Sequence, residues 1–171
     1  MMKALKILFF MTALLVLLGI GAIISAGLLI PAERGFTNEI EINAPVEKVW
    51  QVITDKKRYL EWQTQIENVE VIDEKNWIEY PKGVPDPLKF RVANDERPAR
   101  MEFEYTMGDT YAGKWKGEII PMGSGVRLRT DDSYHAKSWM TKIFVYTFFD
   151  LETFAKDWNT RLKRRVETLD Q

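Results

Sequence analysis

The chain of 171 residues has no cysteine and only one histidine, His135. Without cysteine there is no disulfide, no thiolate nucleophile, no cysteine-ligated metal and no lipidated cysteine at an anchor. One histidine leaves little room for a zinc site or for histidine-based acid–base catalysis. The sequence also lacks the phosphate-binding motifs G-x-x-x-x-G-K-[ST] and G-x-G-x-x-G and the nucleophile motif G-x-S-x-G. We therefore expect no metal and no cofactor.

An excess of positive charge is missing as well. Of the 24 lysines and arginines, Lys3 and Lys6 precede residue 7, which leaves 22 against 25 acidic residues in the rest of the chain. A domain with this balance has no basic surplus to attract phosphates, so we expect no nucleic acid as partner. The 141 residues after position 30 are enough for one ordinary domain with a substantial core.

One long apolar run stands at the N-terminus. The 24 residues from Ile7 to Ile30 carry no charge, and only Thr12 and Ser25 are polar. A helix of this length measures about 36 Å and exceeds the roughly 30 Å hydrocarbon core of a bilayer. We predict an uncleaved transmembrane helix over 7–30. The alternatives are a cleaved signal peptide, whose apolar stretch is usually shorter, and a buried helix of a soluble protein.

The charges on either side of this run predict its orientation. Lys3 and Lys6 precede it with no acidic residue beside them, whereas Glu33, Arg34 and Glu39 follow it. The positive-inside rule places residues 1–6 in the cytoplasm and the remainder outside it, in a single-pass membrane protein. Residues 31–35 are predicted to form a linker, and residues 36–171 one extracytoplasmic domain.

The pattern of this domain predicts an α+β fold. Apolar and polar residues alternate over 36–43, 66–73, 76–80, 88–93, 101–107, 111–119 and 126–134, which favours antiparallel strands. Two short helices are predicted after the first strand, from Pro45 and from Lys57. From Met140 to Val166 apolar residues recur every three or four positions, which predicts one long helix with a break at Asp150 as an option. A curved sheet would grip this helix.

The opening of the domain resembles a known family. A strand ending in Ala-Pro, a helix with Val-Trp before Thr-Asp, and Tyr-x-x-Trp directly after it fill residues 38–62. These features are similar to the START-like (SRPBCC) superfamily, in its polyketide cyclase/dehydrase group, and the order of elements extends the resemblance over 36–169. The resemblance implies a helix-grip fold with a cavity for lipids, sterols, polyketides or quinones. It does not imply one chemistry.

We take as candidate ligand-binding residues the side chains on the inward-facing side of the strands and on the apolar face of the last helix. They are Phe90, Phe103, Tyr105, Tyr111, Trp115, Leu128 and Tyr134 in the sheet, and Phe144, Phe148 and Trp158 in the helix. Gly113 and Gly117 share the parity of Trp115 and would leave room beside its indole. Tyrosine and tryptophan suit amphipathic ligands. The alternative is that these side chains fill the core completely.

Asp132 is a weak candidate for a catalytic group, and the sequence offers no better one. It shares the inward parity with Thr130, which is unusual because a buried carboxylate without a partner is costly. It could orient the polar end of a ligand, act as an acid or base, or lie near the strand end in water. His135 has the opposite parity, and adjacent Asp131 diverges from Asp132, so neither a His–Asp pair nor a metal pair is expected.

These patterns together predict a membrane-anchored binding domain for a hydrophobic small molecule, such as a lipid, a quinone or a polyketide-like compound. Its partners would be the bilayer, through residues 7–30, and that small molecule. Two alternatives stay open. One is a cyclase- or hydrolase-type enzyme that uses Asp132 with the hydroxyl of Tyr105, Tyr111 or Tyr134. The other is a protein-interaction module with a filled core.

Overall fold

The computed structural model describes residues 2–169, except for the side chains of Met2, Ala4 and Phe148. The first helix, α1, covers Met2–Leu29. Its segment Leu5–Leu29 is long and apolar enough to cross a membrane, and the most apolar part of it is not buried against the rest of the protein. By length and composition α1 therefore fits a membrane anchor or a signal sequence.

Seven antiparallel strands form one sheet in the order β1-β7-β6-β5-β4-β3-β2. Their bounds are Glu33–Ile42 (β1), Ile66–Val71 (β2), Asn76–Pro81 (β3), Leu88–Glu96 (β4), Arg100–Met107 (β5), Tyr111–Met122 (β6) and Gly125–Ala136 (β7). From β2 to β7 each strand pairs with the next one along the chain, and β1 pairs with β7. The sheet is the one that the alternation predicted.

Two short helices follow β1, as predicted. They are α2, Val46–Thr54, and a 3₁₀ helix, Lys56–Glu61. In α2 the side chains of Val49, Trp50 and Ile53 are buried, which gives the helix one apolar face against the interior. The hydroxyl of Tyr59 in the 3₁₀ helix donates a hydrogen bond to the carbonyl of Ile53, so the two helices form one closing unit.

The C-terminal helix is divided in two, α3 at Trp139–Phe148 and α4 at Leu151–Thr168. The break falls at the predicted position. The Asp150 carboxylate accepts a hydrogen bond from the Thr153 backbone N–H at 2.9 Å and so caps α4. Fully buried Leu162 and Val166 fix α4 over the sheet. The α+β helix-grip fold, with a curved antiparallel sheet and a helix in its grip, is confirmed.

β1 begins earlier than the alternation predicted. Residues 33–35 pair with residues 133–135 of β7, so most of the predicted linker 31–35 is strand. These three residues carry no apolar side chain, and hydrophobic alternation therefore contained no signal for them. As a result only residues 30–32 separate α1 from the sheet.

Candidate functional site

The predicted inward residues share one face of the sheet. Directly paired residues on neighbouring strands point to the same side, so the register defines rows across the sheet. One row contains Tyr134, Gly113, Tyr105, Phe90 and Trp77, and the next contains Phe36, Asp132, Trp115, Phe103 and Val92. Tyr111 and Leu128 belong to flanking rows of the same face.

Aromatic rings fill one half of this inner face. Phe103 stacks on Trp115 with their ring centroids 5.0 Å apart, and Trp115 contacts Trp158 of α4 at 5.6 Å. Trp77 adds an edge contact to Phe103 at 5.0 Å, and Trp62 one to Trp158 at 5.5 Å. Leu128 is fully buried in the same cluster. In this half of the domain the filled-core alternative describes the structure.

The space expected beside Gly113 and Gly117 is occupied. A Cβ atom built on Gly113 would collide with the ring of Tyr105, and one built on Gly117 would collide with the ring of Trp115. The glycines do leave room, as expected, but neighbouring aromatic rings use it. The expected opening beside the Trp115 indole is therefore not formed.

Open space lies at the other end of the domain, where α3 meets α4. A cleft of about 500 Å³ opens there between β1, β7 and the two helices, and it is lined by Arg34, Gly35, Phe36, Tyr134, Tyr146, Thr147, Phe149, Asp150, Leu151 and Glu152. This volume falls within the range of small-molecule pockets, about 300–1,000 Å³. Of the predicted ligand-binding residues, Tyr134 lines this cleft directly.

The walls of the cleft combine aromatic faces with polar groups. The Tyr134 ring lies 6.2 Å from the rings of both Phe36 and Tyr146, measured between centroids. The Arg34 guanidinium lies 4.1 Å above the Tyr146 ring as a cation–π contact. Burial raises the pKa of the Tyr134 hydroxyl, so this group stays protonated and can donate a hydrogen bond at neutral pH.

Asp132 on β7 pairs directly with Phe36 on β1, and Phe36 lines the cleft. Asp132 is not at the end of its strand, because β7 continues to Ala136. Its Oδ2 atom is enclosed and has no hydrogen-bond partner among the described residues. Burial, and secondarily the charge of Asp131, raises the pKa of the Asp132 carboxyl to about 7. Near neutral pH this group can therefore either accept or donate a proton.

A strip of buried amide and hydroxyl groups continues from Asp132 beneath α4. The Asn159 Nδ2 atom donates a hydrogen bond to Thr130 Oγ1 at 3.1 Å, and Asn38 pairs with Thr130 across the strands. Within residues 2–169, Asn38 Nδ2 and Asn159 Oδ1 have no hydrogen-bond partner. This strip thus offers one unused donor and one unused acceptor in addition to the carboxyl group of Asp132.

Two phenols, those of buried Tyr111 and partly buried Tyr105, lie next to this strip. The rings of Tyr105 and Tyr111 are 6.2 Å apart between centroids. Burial raises the pKa of both hydroxyls, more strongly for Tyr105, and the nearby charge of Asp132 adds to the effect. Both phenols are therefore protonated at physiological pH.

Of the predicted ligand-binding residues in the last helix, Phe144 requires a correction and the side chain of Phe148 is not described. Phe144 was expected to face the sheet, but 55% of it is exposed. The break at Asp150 changes the rotational phase, so Val145 and Tyr146, rather than Phe144, are the α3 residues packed in the cluster of Tyr134 and Tyr111. The side chain of Phe148 lies outside the described part of the chain. His135 Nδ1 lies 3.4 Å from the Glu33 carboxylate, away from the cleft.

Two ionisable side chains at the opposite end of the domain, buried Lys56 and half-buried Glu79, were not predicted from the sequence. Lys56 is only 9% exposed, and its Nζ atom lies 4.9 Å from the centre of the Trp77 ring. Glu79 accepts a hydrogen bond from Trp77 Nε1 at 2.8 Å, and burial raises its pKa to about 7. Glu79 lies two residues after Trp77 on the same strand, so alternation could have placed its side chain on the inner face. Nothing in the sequence around Lys56 indicates that its side chain is buried.

A second, smaller depression of about 200 Å³ lies over β5–β7, and its lining includes the predicted site residues Phe103, Trp115 and Asp132, none of which lines the cleft. Its wall includes Glu104 and Lys114, whose charged atoms are 3.0 Å apart. Such exposed ion pairs are already compensated and well hydrated, so they offer little to a ligand. The cleft beside α3 and α4 is the better candidate site.

Residues 34–169 match the family described as polyketide cyclase / dehydrase and lipid transport. The chain belongs to this family, which confirms the START-like resemblance. Comparison with curated protein sequences gave no match.

Solved structures share the fold at low sequence identity. A point mutant of norcoclaurine synthase from Thalictrum flavum, in complex with a transition-state analogue, has a TM-score of 0.65 at 13% identity, covering 81% of this chain and 97% of that one. A START superfamily protein from Mycobacterium smegmatis has a TM-score of 0.63 at 17% identity, with 79% and 98% covered. A conserved protein from Geobacillus kaustophilus has a TM-score of 0.66 at 12% identity, with 78% and 95% covered.

Proposed function

We propose that this protein is a membrane-anchored binding domain for a hydrophobic small molecule, which occupies the cleft between β1, β7 and the α3–α4 joint. The observation that carries the proposal is the cleft itself, about 500 Å³ in volume, with Phe36, Tyr134 and Leu151 in its wall. Membership of a family whose description includes lipid transport supports the same class of ligand.

The chemistry of the wall defines the ligand further. The aromatic faces of Phe36 and Tyr134 suit a flat or branched apolar body. The Tyr134 hydroxyl and the Arg34 guanidinium at the rim suit an oxygen-bearing polar end, since both are hydrogen-bond donors. A lipid, a quinone or a polyketide-like molecule combines these two parts.

The anchor would give such a cleft its location. α1 has the length and apolarity to cross a bilayer, and only residues 30–32 separate it from β1. Three residues span at most about 10 Å, so a tether this short keeps the cleft close to the membrane surface. The effective concentration of any membrane-dissolved ligand at the cleft then rises without additional contacts.

The test is native mass spectrometry of the detergent-extracted full-length protein, followed by identification of the co-purified small molecule. Thr147→Trp places a large ring in the cleft, and Thr160→Trp places the same ring on the exposed side of α4 as a matched control. We expect a stoichiometric ligand in the unmodified protein and in Thr160→Trp, and its loss in Thr147→Trp. Folded protein without any bound small molecule would contradict the proposal.

A second candidate function is acid–base catalysis on the bound molecule. It is favoured by the Asp132 carboxyl, whose pKa of about 7 suits proton transfer at neutral pH, and by the nearby phenols of Tyr105 and Tyr111. Asp132→Asn would abolish any conversion of the co-purified compound, followed as a change in its mass. Asp109→Asn is the control, because Asp109 is exposed in the turn between β5 and β6, away from the inner row of Asp132.

A further inference from the structure

Helix α3 is fastened to the end of α1. A Cβ atom on Gly27 would lie 2.9 Å from Ile143 Cδ1 and 3.0 Å from the Trp139 carbonyl oxygen, so the two helices touch at this glycine. Lys142 Nζ donates a hydrogen bond to the Ile30 carbonyl at 3.0 Å. The Tyr146 hydroxyl donates one to the Pro31 carbonyl at 2.9 Å. These contacts extend along α3 and hold it beside the last turn of α1.

The side of α3 that adjoins this contact is apolar and exposed. Met140 is 62% exposed and Phe144 is 55% exposed, and their spacing of four residues puts them on one face. Phe149 is 41% exposed, and its ring lies 5.3 Å from that of Phe144 between centroids. The opposite side of α3 is used differently, since Val145 is buried against the sheet.

We infer that Met140, Phe144 and Phe149, here called the α3 face, insert into the surface of the same bilayer that α1 crosses. The inference rests on the anchoring part of the proposed function. If α1 spans the hydrocarbon core, its last turn lies at the boundary between acyl chains and headgroups. α3 touches α1 at Gly27, two residues before the helix ends, which is about 3 Å along the axis.

The composition of α3 fits that depth. Helices that lie in the membrane interface bury their apolar side by about 5–10 Å, and aromatic side chains are frequent there. The exposed apolar surface continues to Phe154 of α4, which is 42% exposed, and beyond it the exposed side of α4 carries Lys156, Asp157 and Arg164. Lipid is therefore the occupant of the α3 face.

This arrangement gives the cleft an opening toward the membrane. Phe149 belongs both to the α3 face and to the wall of the cleft, and Thr147 and Leu151 continue the wall on either side of it. A hydrophobic molecule could then pass between the leaflet and the cleft without crossing bulk water. Its transfer would avoid the cost of exposing apolar surface to solvent.

The absence of cysteine makes a direct test available, because each introduced cysteine carries the only label in the chain. The full-length protein is reconstituted in phosphatidylcholine–phosphatidylglycerol nanodiscs with an environment-sensitive NBD fluorophore at Met140→Cys or Phe144→Cys. Leu15→Cys reports on the span, and Thr106→Cys, on an exposed position of β5, reports on water. Quenching by doxyl-labelled lipid is compared with quenching by aqueous iodide, and thermal unfolding confirms that each variant is folded.

We expect lipid quenching at Leu15, Met140 and Phe144, and iodide quenching at Thr106. Lipid quenching at Leu15 with iodide quenching at Met140 and Phe144 would overturn the inference and leave the anchor intact. Protection of Phe144 from both quenchers would also overturn it, because the α3 face would then be covered by a second copy or another protein. Iodide quenching at Leu15 would remove the anchor and the inference together, while the cleft could still bind its ligand.

Discussion

The ring of Tyr105 lies over Gly113, its direct partner on the neighbouring strand, in the space that any larger residue at position 113 would need. Because the ring covers the glycine, the inner face of β6 is closed beside Trp115. Tyr105 is in turn held in contact with Phe90 and Tyr111, at centroid distances of 5.2 and 6.2 Å. This packing is one reason why the open space lies farther along the domain, beside α3 and α4.

Gly113→Ala tests this relationship. The added methyl group must displace the partly buried Tyr105 ring, and we expect a loss of about 1–3 kcal/mol in the free energy of unfolding, as for other overpacked cores. Gly123→Ala is the control, because a Cβ atom at Gly123 meets nothing within 4 Å. Thermal unfolding followed by tryptophan fluorescence measures both variants. Equal unfolding temperatures would show that Tyr105 can move without cost.

The raised pKa of Asp132 predicts a pH-dependent stability difference. The folded pKa of about 7 exceeds the unfolded value of about 3.9, so the folded state holds the extra proton between these values. Unmodified protein should therefore lose stability relative to Asp132→Asn as the pH rises from about 4 to 7. One pKa unit corresponds to about 1.4 kcal/mol, and partial hydration of this half-buried side chain reduces the total to about 2 kcal/mol.

The measurement is the difference between the unfolding free energies of Asp132→Asn and the unmodified protein at pH 4, 6 and 8. Glu79 titrates in the same range, with a pKa of about 7, but it is present in both proteins and cancels in the difference. A difference that stays constant with pH would show that Asp132 is well solvated. Bound ligand would shift the result, so delipidated protein is required.

Alternation predicted the sheet and its inner face because each strand of an antiparallel sheet shows period two in its own sequence. That is why Tyr105, Trp115 and Asp132 were assigned to one face correctly. The same logic failed for residues 33–35, which pair with β7 through their backbones and carry no apolar side chain to mark a face.

The cleft could not be predicted from periodicity because it depends on a break between two helices. Phe149 and Asp150 are not helical, so the faces of α3 and α4 are not aligned as in one continuous helix. A prediction that treats residues 140–166 as one helix therefore places Phe144 on the side that faces the sheet, whereas in α3 this side chain is exposed. Asn159 was available as a signal, since it is a polar residue between the apolar positions Trp158 and Leu162. Its hydrogen bond to Thr130 could not be predicted from the sequence, because it depends on how α4 packs on the sheet.

The hydrogen bond from Asn159 to Thr130 predicts a local stability cost. Asn159→Ala leaves the buried Thr130 hydroxyl without this donor and opens a small cavity, so we expect a loss of about 2–3 kcal/mol in the free energy of unfolding. Thr160→Ala, on the exposed side of the same helix, should change it by less than about 0.5 kcal/mol. A double-mutant cycle with Thr130→Val isolates the pair. A coupling energy near zero would contradict a direct interaction.

The contact between α1 and α3 predicts different outcomes for two substitutions in the same helix. Gly27→Leu must push α3 away, because its Cβ atom would lie 3.0 Å from the Trp139 backbone, whereas Gly21→Leu meets nothing within 4 Å. We expect amides of residues 139–148 to exchange with deuterium at least about tenfold faster in Gly27→Leu, since overpacking of 1–3 kcal/mol lowers the local opening energy. Gly21→Leu should leave these rates unchanged. Hydrogen–deuterium exchange mass spectrometry in nanodiscs measures both, and equal rates would mean that α3 keeps its position without α1.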